Sequence, residues 1–348
     1  MARITIKKKS VVSIAADYSA RLKKSQVIPN DSSSEICEFI RRHRRKRMRL
    51  CKSRDLISDC GSVDEYKFLN EISHGSFGAV YRARHRKTRE IVAVKEVFDG
   101  LCFLTLREID IIKSLDHHPS IVEFKQVVVD DDDGVYIVME CVEMDLNEYM
   151  KRPFSLNEIK CLMKELLEGV KYLHQNRVMH RDLKPSNILI NSKGKLKICD
   201  FGLSRQFGSM MEPYCSPCVG TLQYRAPELL VGANTYLAAV DMWSVGCIMA
   251  ELFLKQVLFK GESELEQLQM IYQILGSPDG SDWPRFSNLT WSKEPQNILR
   301  DKFTISTGGP ILSEVGFDLL HKLLTYDPLK RITPEDALKH GWFDELSS

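Results

Sequence analysis

Lys95 closes the apolar run Val92-Ala93-Val94. An ammonium in that place is expensive to bury unless it meets an anion. Glu108 lies in the run LTLREI, on the next expected helix, and offers an internal partner. Upstream, Ile72 to Val80 reads ISHGSFGAV. Glycines at 75 and 78 let a strand–turn–strand backbone approach phosphates, whose charge the amide groups offset. A Lys–Glu pair behind such a turn would hold an ammonium against the α- and β-phosphates of a nucleotide. Each feature alone also has a bland explanation. Glycines mark ordinary hairpins, lysines end many strand edges, and glutamates sit exposed on many helices.

Farther along, His180-Arg181-Asp182-Leu183-Lys184-Pro185-Ser186-Asn187 precedes the apolar Ile188-Leu189-Ile190. Asp200-Phe201-Gly202 follows, then Ala226-Pro227-Glu228. In order, spacing and number these runs resemble the signature set of eukaryotic protein kinases, over about residues 66 to 343. The resemblance implies an α+β fold of two lobes, a small β-rich one and a larger helical one, with ATP and Mg2+ as cofactors. Phosphoryl transfer asks little covalent work of the protein; it needs an in-line nucleophile and neutralised phosphate oxygens. By resemblance Asp182 accepts or orients the substrate hydroxyl proton, and Lys184 contacts the γ-phosphate. A lysine two residues after that aspartate resembles serine/threonine kinases rather than tyrosine kinases. Lys95, Glu108 and Thr221 complete the implied catalytic set. Asn187 and Asp200 would hold magnesium, a hard cation that prefers oxygen ligands.

The same resemblance assigns Ile72, Ser73, His74, Gly75, Ser76, Phe77, Gly78, Ala79 and Val80 to the loop over the phosphates. Met139 would stand beside the adenine, with backbone groups of Glu140 and Val142 bonding it and Asp145 facing the ribose. Asp241 in DMWSVG resembles the buried aspartate that braces the catalytic loop. Glu228 and Arg331 resemble the ion pair under the substrate-binding segment. LTLREI at 104–109, the hinge VYIVMECVEMDL at 135–146 and the run 259–284 resemble the cyclin-dependent kinase group. Within it, the PITSLRE-type members and their plant relatives are most similar. A cyclin partner and protein substrates follow as expectations.

Arg107, Arg181 and Arg205 match that family's phosphate-binding cluster, and counting back from Glu228 places Ser216 at the usual phosphosite. Cations gathered without a carboxylate repel, so an incoming phosphate would satisfy them. Gly220, before Thr221, can take φ > 0 without strain and turn its carbonyl aside. With Arg225, this resembles the arrangement of proline-directed kinases, and the resemblance implies a preference for proline after the acceptor, since proline has no N–H to lose. Several residues depart from the pattern. Ser73 replaces the first loop glycine, Cys102 replaces a frequent proline, Gln223 replaces the usual tryptophan, and the Lys95–Glu108 linker is short. The short linker and the altered helix lie where a cyclin would dock. Cys215 and Cys218 form a CxxC, too few ligands for a zinc site; redox control is the other reading.

The elements that must position these residues are legible in the patterning. Segments 66–74, 78–85, 90–97, 121–129 and 134–140 read as strands, by β-branched content and intervening turns. Segment 103–115 reads as a helix, as do 156–175, 236–254 and 262–275. Strands first and helices afterwards suggest two lobes with a site between them.

The sequence has 348 residues, 43% hydrophobic and 28% charged, ordinary for a globular protein. No apolar run is long enough to span a membrane. Ten cysteines are scattered without regular spacing, which favours a reducing compartment. Residues 1–60 hold sixteen Lys/Arg against six Asp/Glu, a net of +10, and the remainder carries −8. This marks residues 1–63 as a basic, flexible extension on a kinase domain at 64–343. The lobes would divide near residue 142, and 344–348 form a short tail. No acid precedes Asp17, which leaves a transit peptide as one reading. RRHRRKRMR at 41–49 suggests a nuclear import receptor, and more weakly nucleic acid, since no aromatics interleave to stack bases. Nuclear or cytoplasmic location follows. Three rival functions remain at this level. They are a pseudokinase scaffold, an RNA- or chromatin-associated protein led by its tail, and a mitogen-activated-type kinase. The last should carry a TxY motif between Gly202 and Ala226, and that segment has none.

Overall fold

The computed structural model describes residues 60–347, except 76–77, 99, 101, 116, 133, 208–218, 234–236, 277, 279–295 and 304–310. The basic extension, Ser216 and the Cys215/Cys218 pair therefore lie outside the described residues.

The first lobe is a six-stranded sheet ordered β1-β5-β6-β4-β3-β2. Its strands are β1 (Gly61–Ser62), β2 (Tyr66–His74), β3 (Gly78–His85), β4 (Ile91–Val97), β5 (Phe124–Val129) and β6 (Val135–Glu140). Alternation along β4 builds two faces. Val92 and Val94 join Tyr66, Ala83, Val128 and Val138 in one core cluster. Ala93 and Lys95 point to the other face. Helix α1 (Phe103–Ser114) packs there, with Ile109 in a cluster holding Val97, Val127, Val135 and Ile137.

The strands expected at 66–74 and 78–85 are present, and the one expected at 90–97 spans Ile91–Val97. Two differences are instructive. The sheet begins at Gly61 rather than near Tyr66, because β1 adds parallel to β5. A two-residue strand carries no periodicity to find. The strand expected from 121 starts only at Phe124. Ile121 instead bridges to Ile198, tying the loop between α1 and β5 to the second lobe.

The second lobe is helical. After β7 (Met144–Asp145) and α2 (Leu146–Tyr149) comes α3 (Leu156–Gln175). Ser155 and Glu158 form a reciprocal capping box at its start. Its buried Ile159, Leu162, Met163, Leu166, Val170 and Leu173 recur at helical spacing. Next come β8 (Val178–Met179), the hairpin β9 (Ile188–Ile190) and β10 (Leu196–Ile198), β11 (Arg205–Gln206) and α4 (Pro227–Leu230). Helix α5 (Ala239–Leu254) is buried from Val240 to Leu252, so it forms the centre of the lobe. Helices α6 (Glu264–Leu275), α7 (Leu299–Lys302), α8 (Glu314–Leu323) and α9 (Pro334–Leu338) complete it. Trp243, Phe259, Tyr272 and Trp342 anchor one continuous core. Among the described residues no helix is long and apolar enough to cross a membrane.

Candidate active site

The site is built where β4, α1 and the loop after β10 converge. Lys95 Nζ lies 2.6 Å from Glu108 Oε1 on α1 and 2.9 Å from Asp200 Oδ1. Lys95 and Glu108 are both buried. Burial alone would lower the Lys95 pKa, but the Asp200 and Glu108 carboxylates outweigh it and hold the ammonium above the usual lysine range. Burial raises Glu108, and Asp200 adds to this, while Lys95 pulls it back. Burial would also raise Asp200, yet Lys95 lowers it below the usual aspartate range. A charged lysine between two carboxylates is the arrangement these directions describe.

Asp200 has φ of 64°, a left-handed conformation uncommon outside glycine. The turn it makes sends Phe201 into the core, edge-on to His180 at 5.4 Å. The His180 Nε2 to Cys199 O contact of 3.0 Å closes the same corner. A side chain at Gly202 would touch the carboxylates of Asp200 and Glu108 at 3.4 Å, so the position is tight.

Asp182 sits at the centre of the second cluster. Its Oδ1 accepts from the Thr221 amide at 2.7 Å and the Thr221 hydroxyl at 2.8 Å. Lys184 Nζ donates to Thr221 Oγ1 at 2.8 Å and is 2.9 Å from Asp182 Oδ2. Asn187 Nδ2 donates to the Asp182 carbonyl at 2.8 Å and to Oδ2 at 3.1 Å. That use of the amide nitrogen leaves the Asn187 amide oxygen as an acceptor.

The loop holding Asp182 hangs on Asp241 of α5, which is fully buried. Its Oδ2 accepts from the His180 amide at 2.9 Å and its Oδ1 from the Arg181 amide at 2.8 Å, with His174 Nε2 2.9 Å from Oδ2. Burial would raise Asp241; the His174 contact and the amide donors lower it overall. Arg181, at φ 69°, needs such a brace. The expected Glu228–Arg331 pair is bidentate, at 2.7 and 3.0 Å.

The described residues expected to meet a nucleotide lie around these clusters. Ser73 pairs with Val80 across the β2–β3 turn, and Val80 pairs with Lys95 on β4. The Gly75 amide donates to Gly78 O at 2.9 Å. A Cβ at Gly78 would lie 2.1 Å from the Glu96 carbonyl, so that glycine is required by strand approach as well. Ile72 is exposed, His74 stacks obliquely near Phe98 at 5.4 Å, and Ala79 is buried. Ser76 and Phe77 lie outside the described residues. The Glu140 side chain turns to Lys197 at 2.7 Å and to the Glu123 amide at 2.7 Å, so its carboxylate is occupied structurally. Asp145 caps α2, its Oδ1 accepting from the Glu148 amide at 2.9 Å. That cap role was not anticipated, and it leaves Asp145 one carboxylate oxygen. Val142 follows β6 at the hinge.

Arg107 lies on α1, Arg205 on β11, and β11 pairs with β8 directly before His180-Arg181. Arg181 Nε donates to Leu203 O at 2.7 Å. Gly220 does take φ of 80°, and its carbonyl accepts from Arg225 Nη2 at 2.9 Å. Arg225 Nη1 binds Glu264 at the start of α6. Glu264, 39 residues away, had no signal in the sequence, since nothing periodic links a loop to the first turn of a later helix.

A model described as the protein kinase domain matches residues 66–343. The chain is 55% identical over 308 residues to Cyclin-dependent kinase G-1 of Oryza sativa subsp. indica, covering 84% of this chain and 44% of that one. It is 46% identical to Cyclin-dependent kinase 11B of Rattus norvegicus, covering 83% and 68%. This chain thus spans less than half the length of the rice relative. Among solved structures, one titled the crystal structure of the yeast RNA Pol II CTD kinase CTDK-1 complex is similar, with a TM-score of 0.73 and 34% identity. That match covers 81% of this chain and 94% of the other.

Proposed function

We propose, from the premise that this chain belongs to the protein kinase family and groups with its cyclin-dependent members, that it transfers the γ-phosphate of ATP to serine or threonine of protein substrates. The observation that carries this reading is the assembled set of charges. Lys95 bridges Glu108 and Asp200, while Asp182 is held by Thr221, Lys184 and Asn187.

Lys95, positioned by Glu108, would bind the α- and β-phosphates. Asp182 Oδ1 already accepts a hydroxyl, that of Thr221, which is the kind of bond a substrate hydroxyl would make there. Lys184, beside it, would neutralise the γ-phosphate. The turn at Gly75–Gly78 would cover the phosphates, and the backbone at Glu140 and Val142 would receive the adenine.

Asn187 and Asp200 fit a divalent cation. Lys95 takes Asp200 Oδ1, the Asp200 side chain is 46% exposed, and the Asn187 amide oxygen is available. Two protein oxygens completed by phosphate suit magnesium, which keeps few protein ligands. When bound, the cation would neutralise phosphate charge and hold the triphosphate in line.

Specificity and control extend the reading. The left-handed Gly220, its carbonyl turned to Arg225, supports a preference for Ser/Thr-Pro sites. A cyclin partner is drawn from the relatives' names. Ser216 would be the activating phosphosite, read by Arg107, Arg181 and Arg205. The tail at 41–49 would serve import into the nucleus, and contact with nucleic acid is a lesser role for it.

The test is phosphorylation of a peptide library by the intact protein purified with its partner, alongside Asp182→Asn. Activity lost in the variant, with proline enriched after the acceptor, is the expected result. No activity above the variant would leave the pseudokinase scaffold. Unchanged activity in Ser216→Ala would remove the phosphosite alone.

A further inference from the structure

Gln223 stands where the resemblance leads one to expect tryptophan, and it is part of a closed ring of hydrogen bonds. Gln267 Nε2, on α6, donates to the Gln223 carbonyl at 3.1 Å. Gln267 Oε1 accepts from the Gly261 amide at 2.9 Å. Gln223 Nε2 donates to the Gly261 carbonyl at 3.3 Å. Gln267 is fully buried, so a missing partner there would be costly. The segment approaches α6 closely: a Cβ at Gly261 would meet the Gln267 amide at 2.3 Å.

This ring joins the two ends of the specificity device. Gln223 lies two residues before Arg225, and Gly261 three before Glu264. Arg225 reaches Glu264 with one arm and the Gly220 carbonyl with the other. Its buried Nε has no hydrogen-bond partner among the described residues, so the outer nitrogens alone orient it. Any drift between the 220–226 loop and the start of α6 would therefore change how the Gly220 carbonyl is held.

We infer that Gln223 and Gln267 are positioning residues for the site beside the phosphoacceptor. Their ring with Gly261 sets the distance between Arg225 and Glu264, and so the orientation of the Gly220 carbonyl that makes proline acceptable. The inference rests on the Ser/Thr-Pro reading above.

The experiment compares two peptides that differ only in proline or alanine after the acceptor serine, phosphorylated by the full chain with its native partner. Gln223→Met and Gln267→Met remove the donors and the side-chain acceptor while keeping similar volume. Gln223 is only half-buried, so its variant keeps the test open if the Gln267 variant fails to fold. The proline-to-alanine ratio of kcat/KM should fall by about five- to tenfold, mainly through KM for the proline peptide. A merely structural role would lower both rates together. An unchanged ratio in Gln223→Met overturns the inference. A wild-type protein with no proline preference overturns the specificity reading itself, and this inference with it.

Discussion

Lys95 Nζ and Glu108 Oε1 are 2.6 Å apart, and Asp200 holds the same ammonium from the other lobe. One lysine therefore ties β4, α1 and the Asp200 turn together. Removing it leaves two carboxylates facing each other with no cation. Lys95→Met should abolish ATP-dependent peptide phosphorylation. It should also destabilise the fold by about 3–5 kcal/mol, the usual cost of breaking a buried pair. Denaturant midpoints with and without ATP check both effects; full-strength nucleotide binding in the variant would contradict them.

Asp182→Asn keeps an acceptor for Thr221 but removes the charge that would take the substrate proton. The turnover number should drop about 10²–10⁴-fold, with ATP affinity nearly unchanged. Steady-state kinetics with a nucleotide titration separates the two.

Gly220 is held at φ 80°, and a Cβ there would sit 2.4 Å from the Arg181 carbonyl. Gly220→Ala should cost about 1–3 kcal/mol and displace the loop next to Asp182. The thermal midpoint and the KM for a Ser-Pro peptide should both worsen. Normal values for both would mean the loop relaxes without consequence.

Arg331 uses all five donors. Besides Glu228, it bonds the carbonyls of Thr325, Ala239 and Tyr326, at 2.8, 2.8 and 3.1 Å. A lysine has no fork to match them. Arg331→Lys should therefore lose much of what Arg331→Ala loses, about 3 kcal/mol or more in urea unfolding.

Asp200 and Asp241 both have folded pKa values below the ordinary aspartate value. Their contribution is thus complete above about pH 4 and is lost as pH falls through the folded values. Unfolding free energy should decline on acidification below about pH 4. The decline should be shallower in Asp241→Asn, which starts lower because it must present an amide N–H₂ to donors.

The motifs were readable because each is a short run whose chemistry needs fixed residue types. His180 to Asn187, Asp200 to Gly202 and Lys95 at the end of an apolar strand are of this kind. The long helices and inner strands were readable because one buried face repeats at a regular period. Contacts between distant segments were different. The Gln223–Gln267–Gly261 ring, Glu264 on Arg225 and strand β1 had no local pattern. Gly220 lies between: its residue type suggested φ > 0, but the reason, the Arg181 carbonyl 2.4 Å from where a Cβ would lie, comes from another part of the chain.

By itself, then, the amino-acid sequence determined the chemistry available and the order of the elements that carry it, since both are written in local composition. Tertiary structure alone decided which charges meet. Asp200 reaches Lys95 across 105 residues, and Arg331 reaches Glu228 across 103. Such pairs form only where burial of the lobes' apolar faces brings the segments together, and that convergence is a property of the packed chain rather than of any stretch of it.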